Sequence, residues 1–267
     1  MDGTPPTISS DDLYARIGNA SAPILLDVRR RDTFESHDRV IVGALRRNPE
    51  DTPHWLTRMP VGRQVVAYCI RGGEVSQGVV TTLRKAGIDA SYLTKGIAGW
   101  QDRGLPTRRK SDVAVGKWVT REHPKIDRIA CPWLITRFIN PEAEFLYVAP
   151  EDVQAVARVH DATPYDIKNV EFGHVGDRCS FDAIIAHFGI ADPALDRLAT
   201  IVRGADTSRA DLAPQCEGLL AISYGLSANF PDDHAMLRHG LIIYDALYTW
   251  CRLQHEQSPR RPSKTVK

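Results

Sequence analysis

Apolar positions fall in short unbroken runs through the first hundred residues and at helical spacing through much of the remainder. Ile24-Leu25-Leu26 and Val65-Val66-Ala67 are continuous apolar stretches, and Ala90 to Leu93 reads as a third short strand. Such runs mark strands covered on both faces. Helix signals lie between them. Ser9 to Asp12 has the spacing of a capping box and predicts a short helix through Ile17, ended by Gly18-Asn19. A second helical segment runs from about Asp51 to Met59, where Pro60-Val61-Gly62 breaks it. From Glu74 to Ala86, Val75, Val79, Leu83 and Ala86 share one helical face, and Gly87 follows the end. Strands alternating with helices predict a parallel sheet in an α/β domain.

Beyond Leu105 the pattern changes. The stretch from Leu105 to Gly116 is basic, contains proline and lacks apolar periodicity, so it carries the boundary. The predicted domains are residues 7–108 and 117–256, with a linker at 109–116 and a basic, disordered tail at 257–267. The second domain reads as helix-rich α+β. Its helices are expected at Pro150 to His160, Phe181 to Phe188 with Ser180 as cap, Asp192 to about Gly204, Pro214 to Tyr224, and Asp232 to Gln254. Phe145 to Val148 and Val170-Glu171-Phe172 read as strands.

Composition narrows the function classes. Hydrophobic content of 43% and charged content of 25% suit an ordinary globular protein. Lys+Arg of 34 against Asp+Glu of 33 gives a net charge of +1, which offers no bulk attraction to nucleic acid or anionic membrane. No signal segment or membrane-spanning run is visible, so a soluble, cytoplasmic protein is expected. The five cysteines, Cys69, Cys131, Cys179, Cys216 and Cys251, are widely spaced without a CxxC. Reduced thiols are the simpler reading.

Cys69 follows a predicted buried strand and precedes Ile70-Arg71-Gly72-Gly73-Glu74, where a helix begins. The reactive form of a cysteine is its thiolate. Sulfur at a strand end facing a helix N-terminus meets unpaired N–H groups and about half a positive charge. Gly72 and Gly73 allow the backbone to curl into an anion nest, and Arg71 adds a full charge. A buried structural cysteine is the competing reading; the Arg-Gly-Gly run and the helix behind it favour the anion site. With Asp27-Val28-Arg29, Val42-Gly43-Ala44 and Leu93-x-x-Gly96-x-x-x-Trp100-x-x-x-Gly104-x-Pro106, the Cys69-x-x-Gly72 loop resembles the single-domain rhodaneses over residues 7 to 108. The resemblance implies a sulfurtransferase that needs no cofactor for the transfer. Cys69 takes sulfur from a small donor as a persulfide and passes it to a thiol or other nucleophilic acceptor. Asp27, Arg29, Arg71, Gly72, Gly73 and Glu74 are then the substrate-binding surroundings, with Asp27 and Arg29 supporting the loop. Many family members place Arg or Thr where Glu74 stands. A carboxylate there suits the helix start but opposes an anionic donor and pushes the thiol pKa up, with Arg71 as a counterweight. Cysteine phosphatases need an arginine six residues after the nucleophile, and that position is Val75.

In the second half, Trp118 to Arg121, Asp127 to Ile139, Tyr165-Asp166, Glu171 to Phe181 and Asp245 to Tyr248 resemble the chromate-resistance (ChrB-type) C-terminal domain over about residues 117 to 253. Lys125, Arg128 and Arg137, together with Arg121, are candidates to hold a tetrahedral oxyanion such as chromate; a solvated basic face is the alternative. Glu171 and His174 are candidate ligands for a divalent metal. Asp166 lies close in sequence, and Asp206, Glu217, His239 and Asp245 are available across the fold; carboxylates paired to arginines are the alternative. Cys131, Cys179 and Trp133 are expected in the core. The leading expectation is a chromate-resistance-associated sulfurtransferase whose second domain binds an oxyanion or a metal. The alternative is a non-catalytic chromate-responsive regulator. No helix-turn-helix or basic stripe is visible, so no nucleic-acid or membrane partner is expected.

Overall fold

A computed structural model describes residues 4–60 and 62–257. The first half comprises β1 (Thr7–Ile8), α1 (Ser10–Tyr14), β2 (Ile24–Asp27), α2 (Arg31–Glu35), β3 (Arg39–Ile41), β4 (Leu45–Arg46), α3 (Thr52–Leu56), β5 (Val65–Tyr68), α4 (Glu74–Lys85), β6 (Ala90–Leu93) and α5 (Gly96–Asp102). The sheet order is β1-β6-β5-β2-β4 and every pair is parallel. Every residue of β2, β5 and β6 is buried, including polar Asp27 and Ser91. Because the strands run in one direction, Asp27, Arg46 and Tyr68 all end at the same edge of the sheet. Ligands of open α/β sheets ordinarily bind at that edge.

The boundary stretch after Leu105 is built into the fold. At the junction of the predicted first domain and linker, β7 (Thr107–Arg109) pairs antiparallel with β3, Val40 opposite Arg108. The strand was missed because Thr-Arg-Arg has no apolar alternation; tertiary pairing forms it. The rest of the second half is β8 (Lys117–Arg121), α6 (Asp127–Leu134) with a π-helical turn at Ile135–Ile139, β9 (Glu144–Val148), α7 (Val153–His160), β10 (Thr163–Pro164), α8 (Ser180–Phe188), α9 (Pro193–Asp206), α10 (Cys216–Asn229) and α11 (Asp233–Gln257). β8 lies between β10 and β9 in a small parallel sheet. Val170-Glu171-Phe172 is not a strand; only Phe172 makes an isolated bridge, to Tyr165. The cap of α8 is Cys179, one residue before the expected Ser180. Nor does Gly225 stop α10, which continues to Asn229; a helical glycine costs only about 1 kcal/mol. The tail at 258–267 lies outside the described residues. Among those described, no helix is long and apolar enough to cross a membrane.

The two halves share one core. Leu13, Ile41, Tyr68 and Trp100 from the first pack in the same cluster as Trp133, Phe138, Phe188 and Tyr248 from the second. Trp133 is fully buried, with Phe138 and Tyr248 rings each 5.5 Å away. A second cluster, including Leu26, Ala67 and Val80, fills the other face of the five-stranded sheet beneath α4. Polar ties cross the shared core. Asp192, 1% exposed, caps α9 through the Ala194 and Leu195 N–H groups. Its other oxygen accepts from Tyr14 Oη at 3.0 Å and Tyr248 Oη at 2.7 Å. Asp192→Ala therefore loses a helix cap and the acceptor of the buried Tyr248 and half-buried Tyr14 hydroxyls, so urea unfolding should show a loss of about 2 kcal/mol. Ser9→Ala, which removes only the exposed cap of α1, should cost about 1 kcal/mol.

Candidate functional site

Cys69 sits at the end of β5, 8% exposed, with its sulfur 3.2 Å from Ser76 Oγ in the first turn of α4. Burial alone would push the thiol up. The Ser76 hydroxyl and the backbone amides of Ser76, Gly73 and Arg71 more than offset it, leaving the thiol pKa below its ordinary value. The other four cysteines are also buried and free, and burial pushes each of their thiols up.

The surroundings differ in detail from those the loop sequence suggested. Gly72 is required: its φ is +69°, and a Cβ there would lie 2.7 Å from the Leu93 carbonyl oxygen. Gly73 is extended with open space around it, so its contribution is the amide. Arg71 and Glu74 point to solvent. Arg71 acts on the sulfur through its backbone N–H, and Glu74, the first residue of α4, does not keep the thiol from being lowered. Asp27 and Arg29 form a buried pair, with Arg29 Nε 2.9 Å from Asp27 Oδ1. Tyr68 donates to Asp27 at 2.9 Å and accepts from the Ile41 N–H at 3.2 Å. This network binds β2 to β5 and β3 and has no contact with the sulfur; it supports the strand that carries Cys69 rather than a donor. Ser76 is the residue sequence reasoning missed. Its signal was available, a hydroxyl among the first three residues of the helix that the cysteine faces.

The second cluster forms where four chain segments meet. His174 Nε2 lies 3.1 Å from Asp206 at the end of α9, 3.3 Å from Asp166 and 3.5 Å from Asp127, the first residue of α6. Asp127 is fully buried. Its Oδ2 accepts the Ser180 N–H at 2.6 Å, while its Oδ1 is sealed from water with no hydrogen-bond partner. Asp166 is clamped by Arg121 at 2.9 Å and Arg128 at 3.2 Å. Burial raises the Asp127 pKa, and burial with the charges of Asp127 and Asp166 pushes Asp206 up to about 7. Hydrogen bonds to Asp127 and Asp166 push His174 up to about 10, so the group retains a proton at neutral pH. A cavity of about 570 Å³ opens beside His174, Asp166 and Arg121.

Several expected partners are elsewhere. Glu171, predicted to stand with His174, is exposed and pairs with His187 at 2.7 Å. Glu171 turns to His187 instead of His174. The fully buried Asp127 was not among the candidates. His239 stacks on Phe230, Glu217 is exposed, and Asp245 binds Arg137 at 2.9 Å and Trp133 Nε1 at 2.8 Å. Of the basic residues expected around an oxyanion, Arg121 and Arg128 meet on Asp166, and Lys125 and Arg137 lie apart from them. Lys125 lies over the Tyr224 ring, Arg128 is taken by Asp166 and Arg137 by Asp245. Cys131, Cys179 and Trp133 are in the core as expected.

Two family profiles match the chain. The profile described as "ChrB, C-terminal domain" matches residues 118–251, and that of the "Rhodanese-like domain" matches residues 9–103. Protein ChrB of Cupriavidus metallidurans is 36% identical over 167 residues, which are 62% of this chain and 47% of that protein. The chain thus spans about half the length of this curated relative. Among solved structures, a full-length protein from Lactobacillus plantarum is 24% identical, covering 39% of this chain and 88% of its own, with a TM-score of 0.37. A rhodanese-like domain protein from Staphylococcus aureus is 26% identical, covering 40% of this chain and 99% of its own, with a TM-score of 0.35. The chain belongs to the family of the ChrB C-terminal domain and carries a rhodanese-like domain before it.

Proposed function

We propose that the protein is a sulfurtransferase associated with chromate resistance, with Cys69 as its sulfur-carrying nucleophile. The observation that carries this reading is the contrast among the five cysteines: Cys69 alone has a lowered thiol pKa, from a hydroxyl and three amides directed at its sulfur. In the first step the Cys69 thiolate attacks the outer sulfur of a sulfane donor. With thiosulfate the donor S–S bond breaks and sulfite leaves with the electron pair. The amides of Arg71, Gly73 and Ser76 hold the persulfide anion as they hold the thiolate. An acceptor thiolate then attacks the outer sulfur, and the Cys69 thiolate departs. Exposed Glu74 at the loop favours a donor with less negative charge than thiosulfate.

The second domain supports a divalent-cation centre at Asp127, His174 and Asp206, whose ligand atoms lie within 4.8 Å of one another. The specific observation is the sealed, partnerless Oδ1 of Asp127. Carboxylates with one imidazole suit a hard or borderline ion such as Mn²⁺ or Zn²⁺. The cation replaces the proton that His174 otherwise holds.

Incubation with thiosulfate, polysulfide or a small-molecule persulfide should add one sulfur atom to the wild-type mass, and none to Cys69→Ser. Ser76→Ala should load about tenfold more slowly near neutral pH, with its rate profile moved to higher pH, because one unit of thiol pKa is about 1.4 kcal/mol. If no donor loads Cys69 and Cys69→Ser retains full chromate tolerance in cells, the chain is instead a non-catalytic responder. For the second domain, elemental analysis after dialysis against Mn²⁺ or Zn²⁺ should find about one bound ion. Affinity should rise with pH toward 10 as His174 gives up its proton. His174→Ala and Asp206→Asn should lose the ion and Glu171→Ala should keep it; loss in Glu171→Ala alone would reject this ligand set.

A further inference from the structure

A third charged region lies at the carboxyl edge of the five-stranded sheet, where the segment after β7 crosses the first half. A cavity of about 230 Å³ is lined there by Asp27, Phe34, Arg46, Arg108, Lys110 and Ser111, among others. The basic groups crowd one aromatic ring. The Arg46 guanidinium is 4.6 Å, the Lys110 ammonium 4.5 Å and the Arg29 guanidinium 5.1 Å from the Phe34 centroid.

These cations are hydrogen-bonded but not neutralised. Arg46 donates to the Asp27 carbonyl at 3.0 Å, and Lys110 donates to the Phe34 carbonyl at 2.6 Å. The nearby carboxylate, Asp27, is already committed to Arg29 and Tyr68. Among the described residues, Arg46, Arg108 and Lys110 have no carboxylate at ion-pair distance, so four cations face one anion. Two donors are also left over: Arg108 Nε and Arg29 Nη1 are buried without partners, and the Arg29 side chain has no exposed surface. Burial lowers the pKa of both Arg46 and Arg108, and the nearby Asp27 charge only partly opposes it. Planar guanidinium forks and an ammonium around one cavity are the donor set that recognises a tetrahedral oxyanion.

We propose that this junction cavity binds a doubly charged tetrahedral oxyanion group through Arg46, Arg108 and Lys110. Its ligands come from β4 of the first half and from the segment 108–111 that connects to the second, so the anion fastens the connecting segment to the sheet. The site is separate from the Cys69 loop and does not depend on sulfur transfer.

Calorimetry on the full chain with sulfate, at an ionic strength held constant with sodium chloride, tests this. Sulfate should bind saturably, and Arg108→Gln and Lys110→Gln should each weaken it at least tenfold. The exposed Lys85→Gln should leave binding unchanged. A second measurement needs no variant: sulfate should protect Lys110, but not Lys85, from acetylation read by peptide mass. Displacement of sulfate by O-phosphoserine assigns the group to a larger phosphate ester, and failure to displace assigns it to the free ion. Sulfate behaving like chloride, or wild-type binding in both cavity variants, or unprotected Lys110, would overturn the proposal.

Discussion

Asp192 is a buried carboxylate whose two oxygens receive four hydrogen bonds, from two amides and two tyrosine hydroxyls. An unpaired charge in that position would cost several kcal/mol, so its donors must arrive together. Two of them start α9, one comes from α1 in the first half and one from α11 near the end of the chain. Satisfying this single group fixes how the rhodanese-like half lies against the other. Asp245 reinforces it, binding Trp133 and Arg137 on one side and the Ala20 N–H of the first half on the other.

That fixed arrangement separates the chemistry by charge. At the Cys69 loop, amides and a hydroxyl favour a sulfur anion without a formal cation in contact. Around His174, carboxylates from the start of α6, the end of α9 and the turn after β10 gather and hold a proton on the ring. At the sheet edge, guanidinium and ammonium groups collect with one carboxylate among them. Each arrangement opposes its own burial differently.

The N-terminal domain was legible because its rules are local. Continuous apolar runs require strands buried on both faces, Ser9 and Asp192 cap the helices they precede, and Cys69 followed by glycines and a helix start describes an anion-holding loop. The family resemblances were legible for the same reason, since their motifs are contiguous. Glu171 shows the limit. It lies three residues from His174 in sequence, yet Asp127 and Asp206, far away along the chain, stand beside that ring instead.

Sequence alone determined the parallel sheet of the first half, the helix-rich character of the second and the family resemblance of each. Tertiary structure decided which charges meet. It moved Arg128 and Arg137 from a supposed oxyanion site onto Asp166 and Asp245, and it formed β7 at the domain boundary by pairing with β3. It also brought Arg108 and Lys110 to Arg46. The physical reason is range: propensity, capping and turn chemistry act over a few residues, whereas an ion's partner depends on which distant segments share its burial.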